Sequence, residues 1–296
     1  MGGTRALAAL ILAISISGCS DEARPITVGS KNFLEQILLG EIAAQHLEHR
    51  LGQRVERKLN LGGTLLIHKA IVNGDIDLYP EYSGTSATVI LNLPPFNNAD
   101  DLSVQVRREY EARFHLRWFD PLGFNNTFAM VIRKADADRL GVRSLQDAER
   151  HPFGWVLGMG YEFQQRLDGL PNLLRTYALP LRGTPKVMDL GLLYRALEQG
   201  DVSMVAANST DGLLLSLDVT VLEDNRNCFP RYDAAFVARN QTIAREPRLA
   251  AALQDLSGKF SDDTMRRLNH QVLVLHGSVE DVANEFLRTS GLLKEP

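Results

Sequence analysis

The segment at residues 74–85 places many polar and aromatic side chains at the end of one short strand. Its sequence, GDIDLYPEYSGT, holds two tyrosines, two aspartates and a glutamate in and after the strand-like run at residues 76–79. Ligands bind open α/β sheets at the carboxyl ends of their strands. The segment therefore indicates a site for a small molecule, although the same tyrosines could simply pack in a turn.

The motifs that mark the common catalytic sites do not occur in this sequence. It has no G-x-S-x-G nucleophile elbow, no H-E-x-x-H zinc motif and no G-x-x-x-x-G-K-[ST] phosphate loop. No nucleophile stands out with a base to activate it. We therefore expect binding without covalent chemistry, metal or cofactor, and an exported enzyme is the weaker alternative.

The composition is typical of a globular protein that does not bind nucleic acid. Of 296 residues, 45% are hydrophobic and 23% are charged. The 32 Lys and Arg residues do not outnumber the 36 Asp and Glu residues, and the formal net charge is -4. A strongly basic surface is therefore excluded. No apolar run reaches the roughly 18 residues of a transmembrane helix.

The first 18 residues have the features of a secretory signal peptide. Arg5 precedes an apolar run at residues 6–16, and small residues follow. Residues 16–19 (ISGC) are similar to a bacterial lipobox, in which Cys19 would carry the lipid, whereas a plain signal peptide with an incidental cysteine is the alternative. Lipidation of Cys19 leaves Cys228 without a partner, and we expect the Cys228 thiol to be buried.

Strands and helices alternate after this leader. Strand-like runs at residues 26–28, 55–61 and 76–79 are separated by segments with helical spacing. This order predicts a β-α-β-α-β unit with a parallel sheet. Asn32 and Glu35 are predicted to cap the first helix as an N-cap and N3 pair.

A second series of strands and helices begins near Thr127, and a helical tail follows Arg245. No low-complexity linker separates the two series. Short hinge segments at residues 124–126 and 224–225 are therefore the predicted crossings between two lobes. The predicted strands of this series lie at residues 128–132, 155–159, 202–207 and 219–222.

Seven segments in a characteristic order resemble one known family. They are residues 29–36 (GSKNFLEQ), 61–64 (LGGT), 76–85 (IDLYPEYSGT), 123–127 (GFNNT), 209–212 (STDG), 222–224 (LED) and 229–235 (FPRYDAA). The family comprises the substrate-binding lipoproteins of osmoprotectant ABC importers, which bind glycine betaine, carnitine or choline. The resemblance covers essentially the whole mature chain.

This resemblance implies an α/β type II periplasmic-binding-protein fold, in which two α/β lobes close on a ligand in the cleft between them. The signal peptide would occupy residues 1–18. The first lobe would take residues 19–123, the second residues 124–224, and residues 225–296 would return to the first lobe with the C-terminal helices.

Members of this family typically surround the quaternary ammonium group with four tyrosines, because aromatic faces attract a cation that cannot donate a hydrogen bond. The matching positions are Tyr82, Phe128, Asn208 and Tyr232. Phe128 lacks the hydroxyl and Asn208 replaces a ring with an amide, while Tyr161 could supply a ring from a neighbouring loop. An amide wall favours a larger or more polar ligand or weaker betaine binding. Ergothioneine, which some relatives bind, is therefore an alternative candidate for the ligand.

A carboxylate at the other end of such a ligand needs hydrogen-bond donors. The candidates are Ser30, Asn32, Gln36 and Thr85, near a helix start that suits anions, and Arg166, which could bind a carboxylate bidentately. Asn32 is explained equally well as a helix cap, and Arg166 by a salt bridge.

The same resemblance implies an extracytoplasmic protein, in the periplasm or at the cell surface, that is anchored to a membrane by its lipid. Such a monomer delivers a quaternary-ammonium ligand to ABC permease and ATPase subunits, and nucleic acid is not an expected partner. A sensor that reports the solute to a membrane receptor is an alternative, because docking surfaces leave no sequence motif.

Overall fold

The computed structural model describes residues 24–93 and 99–293. The predicted signal peptide at residues 1–18 and the predicted lipidation site at Cys19 lie outside the described residues. Among the helices of the described ranges, none combines the length and the hydrophobicity that a membrane span requires.

In this part of the chain, ten strands form two five-stranded sheets with the orders β2-β1-β3-β10-β4 and β7-β6-β8-β5-β9. The prediction of two α/β lobes is confirmed. The strands are β1 (Ile26–Gly29), β2 (Val55–Lys58), β3 (Leu78–Tyr82), β4 (Leu116–Trp118), β5 (Phe128–Arg133), β6 (Leu157–Met159), β7 (Lys186–Val187), β8 (Met204–Asn208), β9 (Val219–Val221) and β10 (Ala234–Arg239).

Both sheets are mixed, so the prediction of a parallel sheet is only partly right. β1 is parallel to β2 and β3, as the β-α-β-α-β order predicted. β10 runs antiparallel to β3 and β4, because it enters from the second sheet instead of through a helical crossover. In the second sheet, β6 is parallel to β7 and β8, whereas β5 is antiparallel to β8 and β9.

Helices connect the strands and cover the sheets. The three-residue helix after β3 continues as a π-helix at Ser86–Ile90, and 3₁₀ turns lie at Leu190–Leu192 and Gly212–Leu215. The α-helices of the described ranges are α1 (Leu34–Leu51), α2 (Thr64–Asn73), α3 (Ser83–Thr85), α4 (Ala99–Phe114), α5 (Lys134–Leu140), α6 (Leu145–Glu149), α7 (Tyr161–Gln165), α8 (Leu170–Tyr177), α9 (Leu193–Glu198), α10 (Asn240–Arg245), α11 (Arg248–Asp255), α12 (Asp262–Leu273) and α13 (Val279–Thr289).

Each sheet has a hydrophobic core on both faces. Successive residues of β10, Phe236 and Val237, point to opposite cores of the first sheet, as the pleat of a strand requires. α1 and α11 to α13 cover the first of these cores, and α2 and α4 cover the second. Burial of a Leu or Ile side chain contributes roughly 1.5–3 kcal/mol. Because both faces of each sheet are packed, the sheets hold the residues at the ends of their strands in fixed positions.

Cys228 packs into one core of the second sheet. The side chain is buried, as predicted. Burial raises the pKa of the Cys228 thiol to about 12. Because the thiolate is the reactive form, this cysteine is inert at neutral pH.

Two antiparallel segments carry the chain between the sheets. Residues 124–127 lead into β5 and residues 230–233 lead into β10, and an isolated bridge pairs Asn125 with Asp233. The predicted return crossing was at residues 224–225, but Asp224 is bound to the second lobe. It accepts hydrogen bonds from the Tyr177 hydroxyl and the Phe229 backbone N–H. The return to the first sheet comes several residues later because Cys228 and Phe229 are buried in a core of the second sheet.

Candidate functional site

An aromatic cluster lies where the two crossing segments enter the sheets. Phe128 is the first residue of β5, and its ring centroid lies 5.6 Å from that of Tyr232. Phe163 and Phe229 contact the same Phe128 ring at 4.8 and 5.6 Å. All three contacts with Phe128 are edge-to-face, an arrangement that aromatic pairs favour. Two of the four predicted ring positions, Phe128 and Tyr232, therefore lie together.

The guanidinium of Arg166 lies over two of these rings. Its Cζ is 5.2 Å from the centroid of Phe128 and 5.3 Å from that of Tyr232. Both distances are within the range of cation–π attraction. These ring faces are therefore arranged to stabilise a positive charge.

Asp168 neutralises Arg166 in a buried ion pair. Arg166 Nε donates to Asp168 Oδ1 at 2.9 Å and Nη2 donates to Oδ2 at 2.7 Å. Oδ2 also accepts from the hydroxyls of Tyr232 (2.7 Å) and Thr88 (3.0 Å). Burial opposes ionisation of Asp168, but the hydrogen bonds and charge of Arg166 outweigh it, and the pKa of Asp168 is lowered. The pair is therefore fully charged at neutral pH.

Several of these hydrogen bonds join the two lobes. Arg166 and Asp168 follow α7 of the second lobe, whereas Thr85 and Thr88 lie in the first lobe, directly after β3. Arg166 Nη1 donates to Thr85 Oγ1 at 3.2 Å, and Thr88 Oγ1 donates to Asp168. The ion pair of the second lobe thus contacts the first lobe directly, through the hydroxyls of Thr85 and Thr88.

Tyr82, the last residue of β3, stands beside a second buried ion pair. Its ring is stacked on Phe33, with centroids 6.2 Å apart. Lys31 Nζ lies 5.3 Å from the Tyr82 centroid and donates to Glu81 Oε1 at 2.5 Å. Tyr82 therefore also has a cation near its ring, and that cation is neutralised by a carboxylate.

Glu35 accepts hydrogen bonds from four different parts of the chain. Its Oε1 accepts from Tyr82 Oη at 2.6 Å and Asn126 Nδ2 at 2.8 Å. Its Oε2 accepts from Thr210 Oγ1 at 2.5 Å and Asn269 Nδ2 at 3.0 Å. The partners belong to β3, a crossing segment, the second lobe and α12. Burial raises the pKa of Glu35, and the four donors oppose that rise.

The predicted capping role of Glu35 is wrong. The N-cap of α1 is Phe33, and no side chain caps the helix. Asn32 is exposed, while its backbone N–H donates to the carbonyl of Gly62. Because four donors surround the Glu35 carboxylate in the interior, it does not turn back to the helix N-terminus.

The other predicted site residues are divided between the aromatic cluster and its surroundings. Asn208 pairs with Phe128 across β8 and β5, and residues directly opposite each other in an antiparallel pair project from the same face. The Asn208 side chain therefore stands beside Phe128. Tyr161 is 65% exposed at the start of α7. Its ring is not one of those packed around Phe128.

Among the predicted carboxylate donors, only Thr85 and Arg166 meet across the lobes. Ser30 Oγ donates to the carbonyl of Lys31 and accepts from the Asn60 N–H. Gln36 is buried, and its Oε1 accepts from the Lys31 N–H. Ser30 and Gln36 therefore support the loop that carries Lys31.

Sequence patterns pointed to the segment that holds Glu81 and gave Glu35 a capping role, but they did not identify Lys31, Asp168 or the charge interactions beside the rings. Lys31, Glu35 and Glu81 lie within segments that carry the family resemblance, and Asp168 follows Arg166 by two residues. Charged residues at the ends of otherwise apolar elements are the signal that could have identified them. Folding of the first lobe brings Lys31 to Glu81, and packing of the two lobes brings Thr210 to Glu35. Sequence spacing gives neither contact.

The chain matches a family model described as "Substrate binding domain of ABC-type glycine betaine transport system" over residues 24–289. It is 33% identical to a glycine-betaine-binding protein of Pseudomonas aeruginosa over 284 residues, which cover 93% of this chain and 90% of that protein. It is 35% identical over 273 residues, or 92% of this chain, to an ergothioneine transport permease/ergothioneine binding protein, EgtU, of Helicobacter pylori. The chain spans 48% of the length of that second relative.

Solved structures show the same architecture. The crystal structure of a glycine betaine/carnitine/choline ABC transporter protein superposes with a TM-score of 0.79 at 27% sequence identity. The superposition covers 90% of this chain and 99% of that one. The structure of apo YehZ from Escherichia coli superposes with a TM-score of 0.70 at 29% identity, over 92% of this chain and all of that one.

Proposed function

Because the chain belongs to the family of substrate-binding domains of ABC-type glycine betaine transport systems, we propose that it binds a small quaternary-ammonium solute between its lobes. The observation that carries this proposal is the position of Arg166, whose cationic group rests on the faces of Phe128 and Tyr232. Rings that hold one cation offer the same quadrupole to a ligand cation. Glycine betaine, choline and carnitine share this headgroup.

The proposed ligand lies against Tyr82, Phe128, Asn208 and Tyr232. Phe128 and Tyr232 supply aromatic faces, Tyr82 supplies a third, and Asn208 supplies an amide beside Phe128. A ligand carboxylate would meet Arg166 and Thr85, which already contact each other across the lobes. Ligand binding would thus strengthen an existing contact between the lobes. A ligand that binds the closed arrangement better shifts the population toward it.

We further propose that the lobes move about the two crossing segments at residues 124–127 and 230–233. These segments lie side by side, since Tyr232 N donates to Asn125 Oδ1 at 2.7 Å and Asn126 N donates to the Tyr232 carbonyl at 3.2 Å. Tyr232 therefore belongs both to the hinge and to the aromatic site. The closed form would be the one that the ABC permease and ATPase subunits recognise, and the ligand would be released unchanged.

A thermal-shift screen tests this function. Glycine betaine, choline, carnitine, proline betaine and ergothioneine should be compared at matched concentration. A ligand at 100 times its Kd raises the free energy of unfolding by about 2.7 kcal/mol, which is a clear increase in Tm. We expect at least one of these cations to stabilise the protein and to be recovered chemically unchanged. If none of them stabilises it, the proposed ligand class is wrong, and if the ligand is consumed, the protein is an enzyme.

We expect Asn208→Tyr to change the ligand preference. A ring at this position would complete the aromatic walls and tighten choline and glycine betaine by about two- to thirtyfold, the contribution of one cation–π contact. The same change would weaken a larger betaine such as ergothioneine if the amide hydrogen-bonds it, because an unpaired buried polar group costs about 1–3 kcal/mol. Calorimetry with choline, glycine betaine and ergothioneine measures whether the affinity for each ligand increases or decreases. Unchanged affinity for every ligand that the wild type binds would mean that residue 208 does not face the ligand.

We propose that the protein acts outside the cytoplasm and is anchored to a membrane through a lipid on Cys19. Two or more acyl chains hold a protein stably, whereas one chain binds weakly. We expect Cys19→Ser to release the protein from the membrane fraction or to leave an unprocessed precursor. Immunoblotting of membrane and soluble fractions distinguishes these outcomes, and Cys228→Ser is the matched control. Normal processing and membrane retention of Cys19→Ser would contradict the anchor.

A further inference from the structure

Glu35 is a buried carboxylate whose described partners carry no positive charge. Its hydrogen-bond partners are a tyrosine hydroxyl, a threonine hydroxyl and two asparagine amides. The two other buried carboxylates near the rings differ, because Glu81 pairs with Lys31 and Asp168 pairs with Arg166. These five side chains therefore comprise three carboxylates and two cations.

The hydrogen bonds of Glu35 favour its ionised form. All four partners can donate, and the amide N–H groups of Asn126 and Asn269 can only donate. A protonated carboxyl would need one of the two hydroxyls to turn round and accept. Hydrogen bonds to the charged form favour ionisation even where burial opposes it. Burial raises the pKa of Glu35 and the four donors oppose that rise. With Glu35 ionised, these five side chains hold one negative charge more than positive charges.

The Tyr82 hydroxyl connects this charge to the ligand position. Tyr82 donates to Glu35 at 2.6 Å, and its ring is one of the proposed walls of the ligand site. Burial and the Glu35 carboxylate raise the pKa of Tyr82, so the hydroxyl remains a donor. By ordinary tyrosine dimensions, a cation over this ring would be about 7 Å from the carboxylate, a distance at which charges interact strongly inside a protein.

We infer that Glu35 is the counter-charge of the ligand's ammonium group and therefore a specificity-determining residue that selects cations over neutral molecules of the same shape. This inference rests on the proposed function and adds to it a residue that need not touch the ligand. The aromatic faces alone attract a cation weakly, whereas a buried carboxylate one ring away acts over a longer range.

The test compares cations with their tert-butyl isosteres, in which carbon replaces the ammonium nitrogen. Choline is paired with 3,3-dimethylbutan-1-ol and glycine betaine with 3,3-dimethylbutanoate, and ergothioneine is included as a third cation. We expect Glu35→Gln to weaken the cations that the wild type binds by about ten- to fiftyfold, the Coulomb effect of one charge at this distance. The isosteres should change by less than about threefold.

Thr210→Val is the matched control, because it removes one hydrogen bond of the same carboxylate without removing its charge. It should change the affinities for a cation and its isostere by the same factor, and it should weaken ergothioneine less than Glu35→Gln does. If Glu35→Gln does not fold, Glu35→Met provides the neutral variant. A folded neutral variant could bind cations as tightly as the wild type, or its affinities for a cation and its isostere could fall by the same factor. Either result would overturn the role of Glu35 but not the proposed ligand class. A wild type that binds none of the three cations would overturn the proposed ligand class as well.

Discussion

Asp168→Asn should weaken choline binding by about 100-fold. The variant keeps the shape of the side chain but removes the negative charge that pairs with Arg166. The uncompensated guanidinium of Arg166 then remains over the rings of Phe128 and Tyr232. A second cation about 5 Å away is opposed by roughly 3 kcal/mol at an effective dielectric constant of about 20, which corresponds to about two powers of ten in Kd. Isothermal titration calorimetry with choline measures the effect directly.

The double variant Arg166→Gln, Asp168→Asn is the control for this prediction, since it removes both charges. Choline has no carboxylate, so its affinity should recover in the double variant. Glycine betaine should recover less, because its proposed carboxylate partner, Arg166, has also been removed. Truncating one partner of a buried pair is usually more damaging than removing both. Choline binding that is unchanged in Asp168→Asn, or weaker still in the double variant, would contradict the proposed role of the pair.

Tyr232→Ala should weaken a quaternary-ammonium ligand by about one to two powers of ten. The change removes one aromatic face, worth roughly 0.5–2 kcal/mol. It also removes the hydroxyl that donates to Asp168 at 2.7 Å. Tyr232→Phe is the matched control because it keeps the ring, and its affinity should stay within about tenfold of the wild type. Calorimetry with the best ligand of the thermal-shift screen measures both variants.

The Tyr232→Ala variant should also lose stability. Tyr232 is 3% exposed and belongs to the core that α1 shares with the first sheet. Truncation of a buried aromatic side chain typically costs about 3–5 kcal/mol. The binding measurement must therefore be made well below the Tm of the variant. A folded Tyr232→Ala protein that binds as tightly as the wild type would rule out an aromatic wall at this position.

Sequence patterns predicted most of the strands because their apolar residues are contiguous, as in β5 and β8, or alternate with polar residues, as in β1 and β9. β1 and β5 lie within one residue of their predicted bounds. β3 is displaced toward Tyr82, since its ladder with β10 continues through residues 79–82. β10 was not predicted as a strand, and its antiparallel course depends on how the chain returns from the second lobe.

The site was predicted less completely than the fold. The family resemblance identified Tyr82, Phe128, Tyr232 and Arg166 as candidates. The structure places the last three together. The role of Glu35 was not visible, because its four partners are distant in sequence and converge only when both lobes and α12 are packed. Local patterns favoured a helix cap for this residue, and tertiary hydrogen bonds decided otherwise.

We propose that the site between the lobes recognises a quaternary ammonium group by its positive charge as well as by its shape. The most direct test is calorimetry of the wild-type protein with choline and 3,3-dimethylbutan-1-ol, and with glycine betaine and 3,3-dimethylbutanoate. The members of each pair have nearly the same shape and differ in the charge of the headgroup. We predict that the cation of at least one pair binds at least about tenfold more tightly than its isostere, through the aromatic faces and the excess negative charge. Equal affinities within every pair that binds would contradict the claim, because the site would then select its ligand by shape alone.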